Sequence, residues 1–173
     1  MNYELKIINI DMAHDVYEMY KDIPFKEVGS TNIIKNQTYE QFKKQLKEFK
    51  NEENIKNEHL DTTTNRYIFY LNNIPIGEIG IRTTLNDFWI NRGSQIFYKL
   101  RYYYRHKGYG TKMLELALIE CKKLGMKQVR VNCSDTNIAS KRIIEKNGGT
   151  IDIKNYKNKD GYSSSYIIKL EEI

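Results

Sequence analysis

The chain has 173 residues, 40% hydrophobic and 29% charged, which suits one domain with a sizeable core of its own. Its net charge, 28 − 22 = +6, speaks to solubility and non-specific attraction rather than to a particular partner. Two cysteines make no disulfide framework, no His/Cys spacing fits a zinc site, and no apolar run is long enough to span a membrane.

Tyr3, Leu5 and Ile7 alternate in a first strand over 3–10. Asp11 is a fair N-cap for a helix over 12–22, with Met12, Val16, Met19 and Tyr20 at helical spacing and Ile23-Pro24 as its stop. Residues 25–37 read as loop. Thr38 with Gln41 three positions on forms a capping box, and Phe42, Leu46 and Phe49 form the stripe of a second helix. The polar stretch 51–65 reads as a loop. Residues 67–71, Asn72-Asn73 and 74–82 read as a hairpin. A connection over 83–92 carries Asn86, Asp87, Phe88 and Trp89. Strands are then expected at 94–100, 127–133, 150–153 and 162–170. The N-terminus shows no signal-peptide pattern, so a cytoplasmic protein with reduced, buried thiols is expected.

The segment 94–124 organises the chain. An apolar strand is followed by a basic turn with Gly108 and Gly110. A helix follows with Leu114, Ala117, Leu118, Cys121 and Leu124 on one face. Such a strand–glycine turn–helix start can hold an anion, because the first amides of a helix are unpaired and its dipole is positive there. Two common nucleotide motifs fail. A Walker loop would need glycine where Tyr103 stands, and a dinucleotide fingerprint would need glycine at Met113.

What fits is Arg-x-x-Gly-x-Gly, from Arg105 to Gly110, followed by a helix, a strand and Asn137-Ile138-Ala139-Ser140 with Gly148 at the end of the next helix. This resembles the two signatures of the GNAT superfamily of acyl-CoA-dependent N-acetyltransferases, in its bacterial form. The likeness is strong over about 65–155. It implies a single-domain α/β (α+β) fold over residues 1–173: a mixed, mostly antiparallel six- or seven-stranded sheet, helices on both faces, and splayed fourth and fifth strands.

The resemblance further implies acetyl-CoA as cosubstrate, without a metal. Tyr98, Lys99, Leu100 and Tyr102 would supply partners for the pantetheine arm. Arg105, His106, Lys107, Gly108, Tyr109, Gly110 and Thr111 would hold the pyrophosphate, and Asn137 and Ser140 would flank the arm. The reaction implied is direct attack of an amine on the thioester, with the N–H near Leu100 facing the oxyanion. Members of the family often carry a tyrosine seven residues after the signature Asn; here the position is Ile144. Tyr98, Tyr102, Tyr109 or a water could take its place as acid. Glu78, among Gly77 and Gly80, is a candidate base or an exposed strand carboxylate. Cys133 is a candidate nucleophile if some group activates it. Arg82, Asn86 and Trp89 are candidates for the acceptor pocket. The acceptor would be an amine on a small molecule or a protein N-terminus, with neither nucleic acid nor membrane as partner, in a monomer or homodimer. A CoA-binding or sensing domain without catalysis is the alternative.

Overall fold

The computed structural model describes residues 1–27, 30–49, 63–85, 94–158 and 161–170. The strands are β1 (Tyr3–Ile7), β2 (Lys26–Glu27), β3 (Ser30–Thr31), β4 (Thr64–Leu71), β5 (Ile74–Arg82), β6 (Ile96–Leu100), β7 (Gln128–Ser134), β8 (Thr150–Asn158) and β9 (Gly161–Lys169). The helices are α1 (Ala13–Lys21), α2 (Tyr39–Phe49), α3 (Tyr109–Lys123) and α4 (Ile138–Lys146). Antiparallel ladders join β1-β4-β5-β6 in one sheet and β7-β9-β8 in another, with β2 and β3 as a small ladder apart.

Local chemistry explains the boundaries that agree with the sequence reading. Thr38 N donates to Gln41 Oε1 at 2.8 Å and Gln41 N to Thr38 Oγ1 at 3.2 Å, so the capping box starts α2. Asn72 and Asn73 have φ of 47° and 67°, the left-handed pair that a two-residue hairpin requires. The differences are equally physical. Asn9, not Asp11, is the cap: its side chain accepts from Asp11 N at 2.9 Å and sets a short 3-10 turn before α1. The stretch read as loop after α1 contains β2 and β3. Asn32 is buried there and donates to Tyr20 O at 2.7 Å and Ile23 O at 2.9 Å, closing the carbonyl end of α1. β8 runs on to Asn158, five residues past its expected end, through two register shifts that alternation cannot reveal.

Two cores lie on opposite faces of the first sheet. Val16, Met19 and Tyr20 of α1 and Phe42 and Leu46 of α2 pack on Ile68 and Tyr70. Met113, Leu114, Ala117 and Cys121 of α3 pack on Phe69, Ile76, Ile79 and Ile81, and the same core takes in Val129, Val131 and Tyr166 of the second sheet. Helices therefore cover both faces, as the resemblance implies. None of the described helices is long and apolar enough to cross a membrane.

The junction between the sheets positions the site. β6 and β7, the fourth and fifth strands of the sequence reading, form no ladder among the described residues. At their base Gln95, just before β6, joins β7: Gln95 N donates to Arg130 O and Arg130 N donates to Gln95 Oε1, each at 2.8 Å. Beyond that point they part.

Candidate functional site

The gap opens a cleft of about 730 Å³. β6 gives it one wall. Arg82 N donates to Gln95 O at 2.8 Å and Arg101 N to Ile76 O at 2.9 Å. Strand alternation then turns the odd-numbered backbone groups of β6 toward β5, and those of Tyr98 and Leu100 toward the gap. Leu100 O agrees: it accepts from Arg105 Nε at 3.1 Å and Nη2 at 2.8 Å, not from β5.

The floor is the turn into α3. His106 has φ 59° and Gly108 φ 84°, two left-handed residues that coil the chain tightly. Such conformations in a non-glycine residue cost about 1–2 kcal/mol and cluster at sites. Gly108 is the N-cap of α3 and brings no side-chain cap. The first helical bond is Lys112 N to Gly108 O at 3.2 Å, so the amides of Tyr109, Gly110 and Thr111 precede the ladder. A Cβ added at Gly108 would meet nothing within 4 Å.

Of the residues expected to hold the cofactor, Tyr98, Lys99, Leu100, Arg105, His106, Gly108, Gly110, Thr111, Asn137 and Ser140 line the cleft. Tyr102, Lys107 and Tyr109 are not part of its wall. Tyr102 points to solvent at 63% exposure, and the Tyr109 ring packs among Tyr3 and Tyr104. Gly110 has a structural reason of its own. A Cβ there would stand 2.6 Å from Ile143 Cδ1, so the glycine lets α3 and α4 touch. Arg105 lines the cleft with its guanidinium already engaged: it grips both carboxylate oxygens of Glu27, which lines the cleft too.

α4 closes the far wall. Asn137 Oδ1 accepts from Ser140 N at 3.0 Å as the helix N-cap while the residue also faces the cleft. The Tyr98 phenol and the Ser140 hydroxyl meet at 2.6 Å. Burial pushes the Tyr98 phenol above its usual range, more than the Ser140 hydrogen bond draws it down. Ile144, where the family's tyrosine often stands, is fully buried.

The remaining candidates lie elsewhere. Glu78 is not an exposed carboxylate and not in the cleft. It is fully buried on the face against α1, where its Oε1 accepts from Arg66 at 2.7 Å and its charge helps to raise the Tyr20 phenol. Gly77 and Gly80 make room not for a ligand but for Leu100 and Phe97, whose side chains fill the space of the missing Cβ atoms. Cys133 is buried and outside the lining, and burial pushes its thiol up to about 11, far from a ready thiolate. Arg82 stacks on the Phe97 ring and donates to Ser94 O at 2.9 Å. Asn86 and Trp89 lie outside the described residues.

Among the charged lining residues, the sequence reading missed Glu27, Arg142 and Lys146. Arg142 and Lys146 are one helical turn apart, and that spacing was a visible signal. Glu27 gave none.

A family model described as "Acetyltransferase (GNAT) domain" matches residues 6–150. The chain belongs to the GNAT acetyltransferase family. Solved structures share the fold of this GNAT protein at low identity. The ribosomal L7/L12 alpha-N-protein acetyltransferase RimL, in complex with coenzyme A, is 13% identical with a TM-score of 0.72, over 98% of this chain and 95% of that one. The microcin C7 self-immunity acetyltransferase MccE, in complex with acetyl-CoA and AMP, is 14% identical at 0.70, over 96% and 92%. A GNAT acetyltransferase from Streptococcus pneumoniae is 16% identical at 0.66, over 98% and 100%. No curated protein matches the GNAT chain in sequence.

Proposed function

We propose that this protein moves an acetyl group from acetyl-CoA to a primary amine by direct attack. The observation that carries this reading is the β6–β7 gap running onto the uncapped N-terminus of α3. A strand edge with outward amides, continuous with a helix start, suits a pantetheine arm and a diphosphate in sequence. Bound acetyl-CoA supplies the thioester; the rest is done by the chain.

The amides of Gly110 and Thr111 hold the diphosphate. The gap-facing N–H of Leu100 serves the oxyanion, a type of donor worth about 2.7–4 kcal/mol in acyl transfer. The Tyr98–Ser140 pair stands in the cleft as a hydrogen-bond donor. A thiol has a pKa of about 8–9, so its departure needs little acid. A phenol pushed up by burial therefore assists by hydrogen bonding more than by giving its proton away. The high thiol pKa of Cys133 speaks against a covalent acyl-cysteine. The acceptor is an amine on a small molecule or on a protein N-terminus; among similar folds, one is named an aminoglycoside acetyltransferase and one a ribosomal L7/L12 alpha-N-protein acetyltransferase.

Ile144 favours a second reading, a CoA-binding or sensing domain without turnover, since the family's usual acid is absent. Incubation with acetyl-CoA and a panel of amines decides between them. Thiol release that requires an amine, with an acceptor gaining one acetyl by mass, supports the enzyme. CoA binding with no turnover across small amines and peptide N-termini supports the sensor.

A further inference from the structure

We propose that Glu27 and the cofactor's diphosphate compete for the guanidinium of Arg105. This rests on the acetyl-CoA reading of the cleft and adds an internal regulator to it.

Arg105 is the charged residue of the glycine turn, yet its donors are committed inside the protein. Nη1 donates to Glu27 Oε1. Nη2 donates to Glu27 Oε2 at 2.9 Å and to Leu100 O at 2.8 Å, and Nε donates to Leu100 O at 3.1 Å. Four of the five N–H groups are thereby used. The carboxylate meets the guanidinium end-on, one oxygen on each Nη, a bidentate fork that a phosphate can also adopt on arginine. Glu27 is also the only carboxylate among the described residues that line the cleft. Both partners keep a quarter of their side-chain surface in solvent, so exchange of one anion for another needs no unfolding.

Glu27 belongs to β2, on the arm that follows α1, and the ion pair is the clasp between that arm and the turn. A diphosphate seated on the α3 amides beside Arg105 draws the guanidinium and releases Glu27. Glu27 thus acts through Arg105, as a positioning residue, and cofactor occupancy is transmitted to the β2–β3 arm.

The test is titration calorimetry of wild type, Glu27→Gln, Glu27→Ala, Arg105→Gln and the double variant Glu27→Gln/Arg105→Gln. Each is titrated with CoA and with pantetheine, which lacks phosphate. Removing the competing charge should tighten CoA about tenfold in both Glu27 variants and leave pantetheine unchanged. In the Arg105→Gln background the Glu27 change should have no further effect. CoA affinity that is unchanged or weaker in the Glu27 variants overturns the proposal, as does equal tightening of pantetheine. If none of the five proteins binds CoA, the cofactor reading itself falls, an outcome distinct from the others.

Discussion

The phenol of Tyr98 and the hydroxyl of Ser140 meet at 2.6 Å across the gap between β6 and α4. This side-chain bond thus ties two walls of the cleft together. Tyr98→Phe and Ser140→Ala should each cost about 1 kcal/mol of stability, and the double variant less than the sum, measured by urea unfolding. If the pair also assists the leaving thiolate, Tyr98→Phe lowers kcat about tenfold, equivalent to about 1.4 kcal/mol, with CoA affinity retained. Because the phenol is raised, it stays protonated through the neutral range, so Tyr98 should add no inflection to the kcat profile between pH 6 and 9.

The two glycines of the turn should separate by substitution. Gly108→Ala meets open space but a φ of 84°, so it should cost about 1–2 kcal/mol and weaken CoA binding by straining the turn that presents the amides. Gly110→Val drives into Ile143 from a start of 2.6 Å, so it should destabilise the α3–α4 contact itself, as overpacking does, by about 1–3 kcal/mol. Thermal melts with and without CoA distinguish them: the ligand should raise the melting point of the Gly110 variant more than that of the Gly108 variant.

Glu78 should prove structural. Glu78→Gln weakens the bond to Arg66, whose side chain is 28% exposed, and that exposure tempers the penalty for a broken buried pair. A loss of about 1–3 kcal/mol is expected in denaturant, with kcat per folded molecule within about twofold. A fall in kcat of a hundredfold with stability intact would restore Glu78 as the base.

Arg142 and Lys146 are exposed, line the cleft and make no ion pair among the described residues. The double variant Arg142→Gln/Lys146→Gln should therefore fold as well as wild type. Its CoA affinity should fall about tenfold at low salt and much less at 500 mM, because screening removes the interaction that was deleted. Equal affinity at low salt would show these cations to be a solvated face.

Alkali should unfold the protein earlier than its neutral-pH stability suggests. Burial raises Cys121 from 9.0 to about 12 and Cys133 from 9.0 to about 11, and it raises Tyr20 and Tyr98 above 10.0. Groups with a raised folded pKa stabilise fully below the unfolded pKa and lose that contribution as pH climbs toward the folded one. The melting temperature followed by circular dichroism should be flat near neutrality and fall from about pH 9 upward. A melting temperature that holds to pH 11 would contradict the burial of these groups.

Much of this protein was legible because it depends on residues a few positions apart. The Thr38–Gln41 box, the Asn72-Asn73 turn and the glycine turn into α3 are local agreements between a few residues and their own backbone. They announce the elements, and the order of elements announces the cleft. What tertiary structure decided has no local signature. Glu27 and Arg105 stand 78 positions apart, so nothing in either neighbourhood pairs them. The face that Glu78 occupies is set by the packing of α1, and Gly110 is explained only by Ile143 on another helix. Chain propensity chose where strands and helices begin. Close packing of distant elements chose which charges reach the cleft and which are spent inside, because burial and pairing act through space.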